Sequence, residues 1–260
     1  PAITNYYVWN VPDTLSTKCI IRITDISDTT KKALSGLFKI KGYVITRINN
    51  DGNYEKFEAS KHGWRFINND NSMWPSFWWS EFNYATGTDP YTNSPYPDFF
   101  HSFPSSTFPD WPLWVKAFSE SQCYLGSDKV YRGKALLKWK VHSKITFQGS
   151  CFGFAASSFL AFNYKEQFLA KHPGIPSFTN LYDLLMNDEI RNTINGDFLL
   201  QFGKQSLDND VICKPKDPRT TLQELKDMFL SDDPNIRTIS IFNNNGNGGG
   251  AHTIAPIRLE

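Results

Sequence analysis

Phe152, Ala155, Ala156, Phe159 and Leu160 recur at the spacing of one helical face, directly after the turn Gln148-Gly149-Ser150. The chain must therefore place a strongly apolar helix, starting at or just after Ser150, in the middle of whatever it builds. Cys151 stands at the tip of that helix. The first N–H groups of a helix have no acceptor within it, and the aligned peptide dipoles leave about half a positive charge there. Both effects favour a thiolate over a thiol, and the thiolate is the nucleophilic form of cysteine. Taken alone, a cysteine on a small-residue helix is more often an inert, buried side chain.

A second feature changes that weighing. Gly249-Gly250-Ala251-His252-Thr253-Ile254-Ala255-Pro256 is a glycine loop leading onto a strand that carries a histidine at its start. The pattern predicts strands over residues 238–242 and 253–259 around the loop 243–250, a flexible hairpin loop beside His252. Helical spacing predicts helices over 129–144, from 150 onward, over 181–193 and over 222–230. The last of these is announced by Thr221-Leu222-Gln223-Glu224, which reads as a capping box. Helices followed by sheet predict an α+β fold.

Upstream the text differs. Residues 7–10, 19–23 and 36–40 alternate in the manner of strands between Pro, Asp and Ser-Thr turns. Residues 42–128 are rich in Pro, Asn, Ser and aromatics, including Met73-Trp74-Pro75-Ser76-Phe77-Trp78-Trp79, without long periodic segments. With 8 Trp and 21 Phe to bury, the expected role of the aromatics is core packing rather than a sugar platform. The division expected is 1–41, a short β segment; 42–128, an irregular aromatic lead-in; and 129–260, the domain carrying Cys151 and His252.

Charge excludes some partners. A net charge of +1 gives no footprint for nucleic acid, and neither that charge nor any apolar run suits a membrane. Cys19, Cys123, Cys151 and Cys213 include no Cys-x-x-Cys pair, so a bound metal is not expected and no cofactor is implied. His62, His101, His142 and His172 read as solvated or capping residues in loops or on helix faces.

The run Ser150-Cys151-Phe152-Gly153-Phe154-Ala155 resembles the nucleophile motif of papain-like cysteine peptidases, with Phe152 in the aromatic place and Gly153 in the small one. Ala251-His252-Thr253-Ile254-Ala255 is similar to that family's histidine strand. The resemblance spans about 130 residues of chain. It implies a papain-like fold, with the Cys helix in a helical part and the His in a C-terminal antiparallel sheet. It also implies peptide-bond hydrolysis by a Cys151 thiolate with His252 as base, on a protein or peptide substrate.

Three departures stand out. His252 follows Cys151 by 101 positions, against roughly 130–150 in the papain and cathepsin branch, which implies a divergent, bacterial-type branch. The family's oxyanion glutamine lies six residues before the nucleophile, where this chain has Ile145. Gln148, three before, is the substitute donor, beside the Cys151 N–H. The family's Asn or Asp on a later strand has no candidate in the eight residues after His252. The expectation is that the protein continues, through a longer chain or a remaining C-terminal chain separated by processing, with self-cleavage as one route.

Residues 9–12, 19–23 and 35–40 further resemble the last strands of immunoglobulin-like or fibronectin-like modules, which implies a secreted, extracellular protein. About forty residues cannot complete such a sandwich. The rival readings are a transglutaminase-like or amidase Cys-His enzyme and an inactive papain-fold binding protein.

Overall fold

The chain begins its described part as a ribbon of short strands: β1 (Ser16–Cys19), β2 (Arg22–Thr24), β3 (Lys32–Leu34) and β4 (Phe38–Ile40). β2 pairs antiparallel with β3, and β1 pairs with β4 outside them. The computed structural model describes residues 16–40, 46–48, 54–68, 71–74, 88–97, 110–143, 149–230, 237–242 and 251–257. The strand expected over 19–23 is split in two. Ile21 gives its N–H to Ser35 Oγ at 2.9 Å and its carbonyl to the Ser35 N–H at 2.9 Å, so it leaves the regular ladder. β3 went unpredicted because Lys32-Ala33-Leu34 carries no alternation. The strand expected over 7–10 lies outside the described residues.

β5 (Thr46–Ile48) pairs with β6 (Tyr54–Lys56), and α1 (Ala59–His62) follows at once. β7 (Thr88–Asp89) pairs with β8 (Ser94–Pro95). Within the aromatic lead-in the structure contains a true helix, α2 (Trp111–Phe118). Asp110 starts it by accepting the Leu113 N–H at 2.7 Å, and Pro112 sits in the first turn, where a missing N–H costs nothing. Next come α3 (Glu120–Cys123) and the pair β9 (Tyr124–Leu125) and β10 (Val130–Tyr131).

α4 (Gly133–Ser143) is shorter than the helix expected over 129–144. Its intended first turn is spent on β10, because Tyr131 pairs with Tyr124 and sends its hydroxyl to Asp89 Oδ2 at 2.6 Å. Asp89 is fully buried and also accepts the Tyr124 hydroxyl at 2.5 Å and the Tyr91 N–H at 2.9 Å. Trp111 Nε1 completes the chain by donating to the Tyr124 oxygen at 2.8 Å.

The helical part continues with α5 (Cys151–Asn163), α6 (Lys165–Lys171), α7 (Asp188–Leu199), α8 (Lys204–Cys213) and α9 (Pro218–Leu230). The helix expected over 181–193 is instead a 3-10 turn, Leu181–Asp183, and then α7. Asn187 sets the later start by accepting the Ile190 N–H at 2.8 Å. α8 buries no residue, so it has no apolar stripe to betray it in the sequence. α9 starts at Pro218, with Asp217 Oδ1 accepting the N–H groups of Arg219 (2.8 Å) and Thr220 (3.2 Å). The expected capping box therefore lies inside the helix, and Glu224 reaches Lys216 at 2.7 Å instead. β11 (Ile239–Phe242) and β12 (Ala251–Ile254) close the described chain as an antiparallel pair, making the fold α+β.

Three apolar clusters surround α5, and each draws on both sides of the 128/129 boundary. The first joins Trp111, Leu113 and Trp114 to Trp139, Phe198 and Leu199. The second joins Trp64 and Met73 to Ala161, Phe168, Ile190 and Ile194. In the third, Phe57 meets Phe159 and Phe162, with Phe229, Ala255 and Ile257 against them. Trp64, Trp111, Trp114 and Trp139 are core, while Trp78 and Trp79 lie outside the described residues. The inner face of α5 is wider than expected: Ser157 and Ser158 are buried with Ala155 and Phe159, whereas Leu160 is exposed.

Two histidines expected to be solvated or capping are buried. His62 lies between Phe57 and Phe162; its Nδ1 accepts the Glu58 N–H at 2.9 Å, and its Nε2 is 3.1 Å from Glu55 Oε1. His172 does end α6, but as a core residue 3.0 Å from Thr193 Oγ1, and burial holds its pKa below the usual imidazole value. His101 and the His142 side chain lie outside the described residues.

Candidate active site

Cys151 is the first residue of α5, and the residue before it is held from several sides. Ser150 is fully buried. Its N–H donates to the Asn68 carbonyl at 2.9 Å, and its hydroxyl donates to Asn195 Oδ1. Asn195, on α7 and also fully buried, in turn donates from Nδ2 to the Met73 carbonyl. The chain segments around Asn68 and Met73 are thereby tied to the start of the Cys helix.

Gly153 sets how deep that helix sits. A Cβ at this position would lie 1.9 Å from the Ile194 carbonyl oxygen and 2.9 Å from the Phe198 nitrogen, the two ends of one backbone hydrogen bond in α7. The backbones of α5 and α7 therefore touch, and glycine is required by contact rather than by dihedral freedom. Ser157, one turn on, accepts from Trp64 Nε1 at 2.8 Å and donates to the Gly153 carbonyl at 2.6 Å.

The histidine strand arrives at the same tip. β12 pairs with β11 so that His252 faces Ile241 and Thr253 faces Ser240, and the Ser240 and Thr253 hydroxyls are 2.9 Å apart. The Thr253 N–H is turned away from β11 and donates to Cys151 Sγ at 3.3 Å. His252 Cα is two bonds from that nitrogen, so the backbone carbon that bears the imidazole lies within about 6 Å of the sulfur. His252 is exposed and Cys151 half-buried, so both are open to solvent.

Of the three residues expected to act, the structure brings Cys151 and His252 to one place, while Gln148 lies outside the described residues. Among the described residues the Cys151 sulfur is bonded by the Thr253 amide and not by the imidazole, and no Asn or Asp side chain bonds His252. Phe152 leans on the first apolar cluster beside Trp111 and Trp139. The N–H groups of Cys151, Phe152 and Gly153 have no acceptor within the helix.

Sequence reasoning missed Ser150, Asn195 and Thr253 as parts of this arrangement. Asn195 left one signal: asparagine competes with the backbone for hydrogen bonds and is poorly suited to a helix interior unless its amide is used elsewhere. The Thr253 contact left none, because it is made by a main-chain N–H.

All four cysteines are free, and burial pushes the Cys123 thiol up to about 12, far from reactivity at neutral pH. Among the described residues no three His, Cys, Asp or Glu side chains are grouped to hold a metal ion. Among the same residues, no helix is long and apolar enough to cross a membrane. No family model, curated protein or solved structure matches the chain.

Proposed function

We propose that the protein is a papain-like cysteine peptidase that hydrolyses peptide bonds through Cys151 and His252. The observation that carries this reading is the 3.3 Å bond from the Thr253 N–H to Cys151 Sγ. It ties the histidine strand, 101 positions along the chain, to the tip of the cysteine helix.

The chemistry follows from the surroundings of the sulfur. The helix terminus and the Thr253 N–H both favour negative charge on Sγ, and in this mechanism His252 takes the thiol proton as the sulfur attacks. The thiolate attacks the scissile carbonyl carbon, and the electron pair of the C=O bond moves onto oxygen. The Cys151 N–H and, in this reading, the Gln148 side chain donate to that oxyanion. The C–N bond then breaks as imidazolium gives its proton to the leaving amine, which leaves a thioester on Cys151. His252 next takes a proton from water as the water oxygen attacks the thioester carbon; the C–S bond breaks, the carboxylic acid leaves, and the imidazolium returns its proton to the sulfur.

The rate of Cys151 alkylation by iodoacetamide from pH 4 to 9, measured beside His252→Ala, tests the reading. Fast alkylation at acid pH that the variant loses supports a thiolate–imidazolium pair, and cleavage of a peptide library then identifies substrates. A sulfur that titrates near the ordinary thiol value of about 8.5 overturns the peptidase reading in favour of an inactive binding protein. Should amines but not water discharge the thioester, the protein is a transferase of the transglutaminase type.

A further inference from the structure

We propose that Asn195 is a positioning residue for Cys151, acting by keeping the Ser150 hydroxyl off the amides of the first turn of α5. The inference rests on the thiol peptidase reading and adds to it the side chain that keeps the helix tip open.

Ser150 occupies the N-cap position of α5. A serine there ordinarily turns its oxygen back to accept the N–H of the second or third helical residue, here Phe152 or Gly153. Ser150 makes no such bond. Its hydroxyl points the other way, as a donor to Asn195 Oδ1. Asn195 is itself held in place: its other end donates to the Met73 carbonyl, it is fully buried, and its helix touches α5 backbone to backbone at Gly153.

A capping oxygen lying on the first-turn amides satisfies them and lowers the positive potential that they present. The same amides, with the Thr253 N–H, are what stabilises a thiolate at Cys151 and an oxyanion beside it. Engaging the hydroxyl elsewhere leaves those donors free for the reaction. Truncating Asn195 removes the acceptor, and the freed hydroxyl rotates onto Phe152 or Gly153. The first-turn amides are then no longer free to hold negative charge on the sulfur.

The test is the pH profile of Cys151 alkylation in the full chain for wild type, Asn195→Ala, Ser150→Ala and the double variant. Asn195→Ala is expected to raise the midpoint by about one pH unit, slowing alkylation about tenfold well below the midpoint. Ser150→Ala, which has no hydroxyl to swing back, keeps the wild-type midpoint. The double variant matches Ser150→Ala.

Two results overturn the role of Asn195 while leaving the peptidase reading intact. One is a low wild-type midpoint that Asn195→Ala leaves in place. The other is a double variant shifted as far as Asn195→Ala, which assigns the shift to general loosening. A wild-type sulfur that titrates like a free cysteine overturns the peptidase reading itself and, with it, this role. If Asn195→Ala does not fold, Asn195→Leu removes the same acceptor while keeping the volume and is measured in its place.

Discussion

The two halves of the candidate site are held in opposite ways. On the cysteine side, α5 and α7 touch through their backbones at Gly153, Ser150 and Asn195 are fully buried, and the first and second apolar clusters close around them. On the histidine side, β11 and β12 form a two-stranded hairpin in which Ile241, Phe242, His252 and Ile254 are exposed. Two-stranded pairs are marginal by themselves. This one is attached through the Thr253 N–H to Sγ and through Ala255 and Ile257 against the third cluster. Cys151 is thus placed by the core and His252 by a thin graft onto it. Substitutions should therefore cost stability on one side and activity on the other.

His252→Ala gives the largest separation of the two effects. On the proposed mechanism kcat/KM falls about a thousandfold, while loss of an exposed side chain leaves stability within about 0.5 kcal/mol. Peptide turnover and a denaturant curve on the same preparation check it. A large loss of stability would show that the hairpin is part of the core.

Gly153→Ala probes the other side. A methyl group forced against the α7 backbone drives the two helices apart, at a cost of about 3 kcal/mol or more. Urea denaturation reads the loss, and a variant as stable as wild type would remove the backbone contact from the account.

Asp197→Asn sharpens the comparison by stabilising the buried side. Asp197 lies on α7 at 4% exposure, and its Oδ2 has no hydrogen-bond partner among the described residues. Burial pushes its pKa up to about 6, with Lys171 pulling the other way. A carboxyl whose pKa is raised on folding favours the folded state fully below its unfolded value of about 3.9, and that contribution is lost as pH rises through about 6. Wild type therefore loses about 2–3 kcal/mol between pH 4 and 8 from this group, and Asp197→Asn does not. Tm against pH for the two proteins gives the measurement, with the variant ahead at pH 8.

Ile241→Ser is the smallest effect expected. Ile241 faces His252 across the hairpin at 56% exposure, so its loss shifts stability by no more than about 0.5 kcal/mol. A drop of several kcal/mol in the denaturant curve would mean that the outer face of the hairpin is covered.

The parts of this molecule that could be read in advance share one property: their signal is local. α5 was legible from the spacing of Phe152, Ala155 and Phe159, the hairpin from apolar runs flanking glycine, and the place of Trp64, Trp111, Trp114 and Trp139 from the need to bury aromatics. Errors arose where a long-range partner outbid a local preference. Tyr131 left the helix expected from 129 to reach Asp89. His62 and His172 were buried by neighbours far along the chain, Phe162 and Thr193, that no local window contains.

The same division holds at the site. Helical periodicity and the chemistry of a helix terminus are written in consecutive residues, so the sequence by itself determined that Cys151 stands at the tip of an apolar helix and that His252 rides a strand. Whether the His252 strand reaches the tip of the Cys151 helix depends on the closure of the chain between them, and the tertiary structure decided that through the Thr253 N–H. It likewise decided that Ser150 turns to Asn195 rather than capping its own helix. A hydroxyl chooses between nearby acceptors and donors according to which one packing presents, and packing is a property of the whole fold.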